Sequence, residues 1–503
     1  MATTKRSSVS EADIVPRTPL LSQNYVHATM PGILGRFDML AIYVVALFLI
    51  TNGVLGATGG PVSLLYLLIG AITFFIPSII ATAQLGTMFP YEGGIYNWTY
   101  QALGANWSFF AGILFWITGV LASITGATAL VTTIQGLNPN WLVEPWQQGA
   151  IILIILTLAA FICIQRFRTT QIVVNGIFIL TMISVFLIGL AVAVWLLQGH
   201  ASATNFTDPT GWSINSGNFS YLGIITLNFI GVNGPLNMAG EIASSETGRK
   251  SIITRQLRWG SLIVFACYFL VMLAVLVVRG SAMLSAPVLA FEGFTVVYQV
   301  LGKLAGGIAS LCFMSYGVVA AIFYCYSSSR ILMVAGIDGR LPVSFGKVNR
   351  NRVPAFAVLF QLVLGGAVVV LIFFAFPSLG FGGNAANALV DSYNVLSAAT
   401  TLVWTVATMF LFINVAALFR KRASWTHAYR LFHMAWIWYS VIIGLIACVA
   451  TIAGVLAYSW VPQLLSNSTW LLLVGGLTAI CLTLVFIVSM IATSEASYES
   501  MQQ

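Results

Sequence analysis

Two short runs inside otherwise apolar stretches carry the residue types that can hold a small polar solute. The first is Thr51-Asn52-Gly53-Val54-Leu55-Gly56 and the second is Asn228-Phe229-Ile230-Gly231-Val232-Asn233-Gly234-Pro235. In the second, Gly231, Asn233 and Gly234 lead into Pro235, which cannot donate a helical hydrogen bond but suits the first turn of a restarted helix. Runs of this kind break a helix. Free amides where a half-helix restarts favour a carboxylate, and free carbonyls where the other half ends favour an ammonium group. The chemistry is that of binding rather than bond making. Hydrocarbon tolerates irregular backbone only where the freed groups face protein, water or a ligand, so the two breaks point at a cavity inside a membrane.

The elements that must position them are long and apolar. Hydrophobic residues make up 59% of the 503 and charged residues 7%, against about 25% charged in a soluble domain. A bilayer crossing needs about 20 apolar residues. Twelve stretches qualify: 39–60, 62–90, 107–135, 148–165, 170–198, 221–243, 259–279, 304–330, 353–377, 390–419, 433–458 and 469–492. The expected fold is an all-α membrane protein of 12 transmembrane helices. With the N-terminus inside, 19 of the 21 Lys and Arg residues, Arg330 among them, fall on the cytoplasmic side, and only Arg279 and Lys303 fall outside. That asymmetry places both termini in the cytoplasm of a multi-pass plasma-membrane protein. Residues 1–34 lack an apolar segment and read as a cytoplasmic tail, as do 493–503. The breaks fall in spans one and six, the offset of two five-helix repeats in inverted topology over residues 35–425, with spans eleven and twelve in 426–492.

Other chemistries find no footing. Cys163, Cys267, Cys312, Cys325, Cys448 and Cys481 stand singly, and His27, His200, His427 and His433 lie in the tail, in loops or at a span end. No catalytic set, metal site or cofactor is expected from them. The net charge of +8 is spread over short loops, so it reads as a topology signal and not as a nucleic-acid surface.

Three segments resemble a known family. Leu227-Asn228-Phe229-Ile230-Gly231-Val232-Asn233 followed by Ala239-Gly240-Glu241-Ile242 is similar to the sixth helix of the amino acid-polyamine-organocation (APC) transporters, above all bacterial amino acid permeases and the arginine/agmatine and glutamate/GABA antiporters. Residues 83–90 with Glu92-Gly93-Gly94-Ile95-Tyr96 resemble that family's second helix and the loop after it. Ser329-Arg330-Ile331 and Asp338-Gly339-Arg340-Leu341-Pro342 resemble the end of its eighth. The resemblance implies a LeuT-like fold, with substrate held between the broken first and sixth helices and lined by the third, eighth and tenth. By position it implies a gate at Leu227, where the arginine exchanger has an aromatic, and pore-lining roles for Tyr324, Ser123 and Ser397. Asn233 stands where that subgroup has a glutamate. The family's glycine-rich first-helix signature is reduced here to Asn52-Gly53 and Gly56. In the fifth helix, which Val174-Asn175-Gly176-Ile177 resembles, the lysine of proton-coupled relatives is replaced near Thr181-Met182.

No span keeps an ionisable group near its middle, although ion- and voltage-coupled carriers usually keep one despite its cost. A small neutral or zwitterionic amino compound is the expected cargo, and exchange the expected mode. Glu241 ends span six beside the basic loop of Arg249, Lys250 and Arg255, where it suits an inner gate. The expected site is Thr51, Asn52, Gly53, Ser123, Asn228, Phe229, Ile230, Gly231, Val232, Asn233, Tyr324 and Ser397, gated by Leu227 and Glu241. The other reading on the same fold is Na⁺- or H⁺-coupled symport, with Ser327, Ser328 or Ser329 helping to hold a cation. A membrane enzyme, a channel and a receptor are the remaining classes. Trp195, Trp212, Trp436, Trp438, Trp460 and Trp470 lie near span ends and suit the headgroup level. A homodimer through spans eleven and twelve is a possibility the resemblance raises.

Overall fold

The computed structural model describes residues 18–30, 32–375, 385–421, 426, 429–462 and 465–502, and among them every regular element is a helix. A short α1 (Leu21–Thr29) precedes the first span, which is two helices, α2 (Arg36–Leu47) and α3 (Ile50–Ala57), bent by 41° at the join. Then come α4 (Pro61–Met88), α5 (Gly94–Leu103), α6 (Ala105–Leu137), α7 (Pro145–Ile164) and α8 (Phe167–Leu197). The sixth span is α9 (Ser220–Phe229) joined by a turn to a 3₁₀ segment, Gly234–Glu241. There follow α10 (Glu246–Val278), α11 (Glu292–Ile337), α12 (Ala355–Ala375), α13 (Ala385–Lys421), α14 (Met434–Ala457) and α15 (Asn467–Ala492). Among the described residues eleven helices are long and apolar enough to cross a membrane, and the bent first pair makes twelve.

Burial sorts these helices into a centre and a rim. The most apolar windows of α6 and of the sixth span are each 94% buried, whereas that of α15 is 22% buried. Large apolar side chains such as Phe161, Phe186, Leu311 and Leu472 face outward, which is where a bilayer supplies their apolar surroundings. Trp460 and Trp470 pack on one another with ring centroids 5.9 Å apart, and the Trp470 indole donates to the Val455 carbonyl. The stretch after Arg279 passes through two short 3₁₀ segments, Gly280–Ser285 and Leu289–Phe291, into the first part of α11, which kinks at Gly302 (φ 84°).

The sixth span breaks where its sequence says. Ile230 is extended, Gly231 takes φ +96°, and Pro235 sits in the first turn of the 3₁₀ segment. The first span does not. Its extended residues are Phe48 and Leu49, and the whole run from Thr51 to Gly56 lies inside α3. The two glycines serve packing instead: a Cβ on Gly53 would lie 3.1 Å from Val271 of α10, and one on Gly56 3.5 Å from Asn228 of α9. What opens the helix at 48–49 is a set of hydroxyls from distant helices. Tyr268 of α10 accepts from the Leu49 amide (3.1 Å) and donates to the Leu47 carbonyl (2.7 Å), replacing the helix's own bond. Tyr316 and Tyr324 of α11 donate to the Val45 and Ala46 carbonyls, each at 2.7 Å.

This arrangement ranks three substitutions. Tyr268→Phe strands both a buried amide and a buried carbonyl, each costing about 1–3 kcal/mol, whereas Tyr316→Phe and Tyr324→Phe strand one carbonyl each. The thermal midpoint of purified Tyr268→Phe should therefore fall furthest. Equal shifts in all three would show that the hydroxyls do not hold the break.

Candidate functional site

Between the two breaks lies a cavity of about 40 Å³, room for a water or two. The first span contributes Ala46, Leu47, Leu49 and Asn52, the sixth Leu227 and Ile230, α6 Ala122, Thr125 and Gly126, α11 Tyr316, Ala320 and Tyr324, and α13 Thr400 and Trp404. Among the described residues no charged side chain lines it, and every lining residue except Tyr324 is buried. The hydroxyl protons are already engaged: Thr125 donates to the Leu121 carbonyl (3.1 Å) and Thr400 to that of Leu396 (2.7 Å). Lone pairs are what these oxygens have left to offer. Asn52 accepts from the Tyr393 hydroxyl (2.8 Å), which also meets Thr51 Oγ1 at 3.3 Å.

Helix ends supply the complementary groups. The first amides of α3, Ile50 and Thr51, precede any acceptor within their own helix, and the last carbonyls of α9 follow its last donors. Trp404 stands over the second break, edge-on to Phe115 and Tyr324 with centroids 5.8 and 5.7 Å away. A Cβ on Gly231 would lie 2.7 Å from its ring. The left-handed backbone and the ring both require glycine there.

The structure gathers part of the expected set. Asn52, Leu227, Ile230 and Tyr324 line the cavity, with Thr51 beside Asn52 and Gly231 under Trp404. Gly53 packs on α10, and Phe229 stacks on Phe75 at 4.4 Å. Asn228 is fully buried with neither amide atom bonded, Val232 is buried after the turn, and Asn233 starts the 3₁₀ segment. Ser123 donates to the Gly119 carbonyl and lines a separate cavity of about 20 Å³ with Cys325 and Gln361, and Ser397 is buried one turn beyond Tyr393. Sequence reasoning missed Trp404, Tyr393, Thr125, Thr400 and Tyr316. Only Tyr316 had a signal, since it stands eight residues before Tyr324 on the same helix face.

Nearer the N-terminal side, a buried ionic cluster crosses three segments. Arg330 of α11, counted on the cytoplasmic side at the end of the eighth span, is fully buried. It meets Glu241 Oε1 at 2.8 Å and Glu92 Oε1, from the α4–α5 loop, at 3.3 Å. The partner of Glu241 is thus Arg330, and not the basic loop after it. Tyr326 donates to Glu241 Oε2 (2.6 Å) and the Gly240 amide to Glu92 Oε2 (3.0 Å). The guanidinium lies 4.0 Å from the Tyr326 ring centroid. Burial, then the neighbouring Glu241 charge, pushes the Glu92 carboxyl well above the usual range against the pull of Arg330.

The N-terminal segment covers this cluster. The Ile33 and Leu34 amides both donate to the Glu241 carbonyl (2.9 and 3.0 Å). The Ser22 amide and hydroxyl bond the Asp338 carboxylate (2.9 and 3.0 Å), and Gln23 reaches Asn97 (2.8 Å). Burial raises Asp338 from 3.8 to about 6, outweighing the Ser22 bonds.

Comparison with known proteins gives one consistent answer. The profile described as amino acid permease matches residues 33–486. An uncharacterized transporter of Legionella pneumophila is 23% identical over 66% of this chain and 72% of its own length. A branched-chain amino acid permease of Lactococcus lactis is 25% identical over 75% and 78%, and a lysine-specific permease of Escherichia coli 21% over 68% and 69%.

Two outcomes follow from the cluster and its cover. Arg330→Met leaves two buried carboxylates without a counter-charge and should lower stability by about 3–5 kcal/mol, where Glu241→Gln, which keeps a hydrogen-bonding group, costs less; thermal unfolding of the purified variants ranks them. Relative to the unfolded chain, burial in the native fold raises the Asp338 pKa, so the folded protein holds this proton more tightly. The stability that Asp338 contributes is therefore fully present below 3.8 and is lost as pH rises through about 6. The thermal midpoint should fall between mildly acid and neutral pH, and Asp338→Asn should reduce that fall.

Proposed function

Since the chain belongs to the amino acid permease family, whose profile spans nearly all of it, we propose that it is an exchanger of small neutral or zwitterionic amino acids working by alternating access. It is a multi-pass transporter, not an enzyme. The observation that carries the cargo class is the uncharged lining of the central cavity. A cationic side chain would find no carboxylate there and an acidic one no guanidinium. Backbone alone suffices for the shared part of every amino acid, with α3 amides toward the carboxylate and α9 carbonyls toward the ammonium. At about 40 Å³ the closed cavity is too small for such a cargo, so binding requires the helices to part.

Exchange is supported by what stands where a coupling ion needs ligands. The carbonyls of Val45, Ala46 and Leu47 each already accept a tyrosine hydroxyl. Ser327 is engaged with Gly234 and Asn237, and Ser329 with the Tyr326 carbonyl, which leaves the buried Ser328 hydroxyl as the one of the three without a partner. Thr181, near the fifth-helix lysine position of proton-coupled relatives, donates to Ile177 (3.0 Å) and brings no charge. In this reading the Glu92–Arg330–Glu241 cluster and the α1 segment are the inner gate, on the cytoplasmic side, and the Thr51/Asn52–Tyr393 contact belongs to the outer one.

Proteoliposomes loaded with labelled neutral amino acid test the mode. Efflux should require unlabelled substrate outside and rise severalfold when it is added. Accumulation driven by a Na⁺ or pH gradient into vesicles empty of amino acid would overturn exchange in favour of symport.

The site itself is tested at Gly231. Gly231→Val pushes a branched side chain into Trp404 at a left-handed backbone position and should weaken ligand binding by more than about tenfold, ~1.4 kcal/mol, in protein that stays monodisperse. Near-native affinity would remove the second break from the site.

A further inference from the structure

A second recess differs from the central one in both charge and exposure. It is a cavity of about 310 Å³ between α2 and α10, lined by Arg36, Phe37, Leu40, Arg255, Gln256 and Trp259. Both arginines are exposed, and among the described residues neither has an acidic partner. Asp38, the nearest carboxylate in sequence, is taken by the Gly35 amide (2.8 Å) and Asn175 (2.6 Å). Gln256 is only 2% exposed, yet neither its amide nitrogen nor its oxygen has a partner. A buried amide left unpaired in a recess beside two uncompensated guanidiniums lacks an acceptor. Phe37 and Trp259 remain 49% and 46% exposed at the same opening, as aromatic side chains do at the headgroup level.

We propose that this recess binds the phosphate headgroup of an anionic phospholipid. Arg36 and Arg255 hold the phosphate, Gln256 donates to it from below, and Phe37, Leu40 and Trp259 lie along the first carbons of the acyl chains. Guanidinium forks match phosphate oxygens in pairs, and the apolar wall selects a lipid over a soluble phosphate. The occupant bridges α2, the half-helix that leads into the first break, to α10, which carries Tyr268. Anionic lipid therefore steadies the inner half of the first span in the arrangement seen here. The inference needs only the membrane placement of these two helices, so its failure leaves the transport reading standing.

The test uses full-length, delipidated protein in neutral detergent, followed by thermal midpoint and by native mass spectrometry. Phosphatidylglycerol should raise the midpoint and remain bound, while phosphatidylcholine of the same chain length and inorganic phosphate should do neither. Arg36→Gln with Arg255→Gln should require about tenfold or more lipid for the same shift. Gln256→Leu should weaken the response, and Arg350→Gln, an exposed arginine outside the recess, should leave it intact. Should the double variant not fold, Arg255→Gln alone carries the comparison. An unchanged response in the arginine variants, or equal stabilisation by phosphatidylcholine, overturns the site. Equal stabilisation by inorganic phosphate overturns the lipid in favour of a soluble anion.

Discussion

A helix interrupted inside hydrocarbon must find partners for the backbone groups it frees, because each one left unpaired costs kilocalories. In this protein that constraint organises the centre of the molecule. The first span can break at Phe48 and Leu49 because Tyr268, Tyr316 and Tyr324 reach in from α10 and α11 to take its carbonyls. Those contacts fix α2 against α10 and against α11, the second of which also walls the cavity, so the geometry of the site is set by satisfying the backbone. Hydroxyls achieve this without burying a charge. The cavity stays neutral for the same reason.

Glu241 links the other end of the sixth span to the rest of the molecule through two chemically distinct parts. Its carbonyl accepts the Ile33 and Leu34 amides, and its carboxylate takes Arg330 and Tyr326. One residue therefore joins the segment before the first span, the sixth span and α11. Gly240 beside it has no side chain because there is no room: a Cβ would lie 2.9 Å from Glu92 and 3.1 Å from Val26. Separating these elements wets two carboxylates and a guanidinium together, which makes the closed arrangement cooperative.

The spans, the sixth-helix break and the neutral character of the site were legible because they depend on local properties: apolar run length, a Gly/Asn/Pro cluster, an absence of mid-span charge. The first break was misplaced by the same logic. Gly53 and Gly56 look like helix breakers but serve close packing, and the true break is caused by tyrosines more than 200 residues away, with no local trace. Arg330 was counted as a cytoplasmic charge because it closes the apolar run of span eight, yet α11 continues seven residues beyond it. Only the fold reveals that Glu92 and Glu241 converge on it. Trp404 and Tyr393 stood as single aromatics in an apolar helix, and nothing in composition separates such a residue from packing.

The tyrosine contacts at the first break also set an order of assembly. Ala46 leaves the ribosome 278 residues before Tyr324, and at about 5–20 residues per second that interval is roughly 15–55 s. During it, α2 and α3 enter the membrane with carbonyls that have no native partner, held by lipid headgroups, water or the insertion machinery, or kept as one unbroken helix. The bend in the first span is thus a late event of biogenesis, first supported when Tyr268 arrives with the seventh span and completed by the eighth, and a nascent chain that stops short of Tyr268 has none of these hydroxyls to hold it.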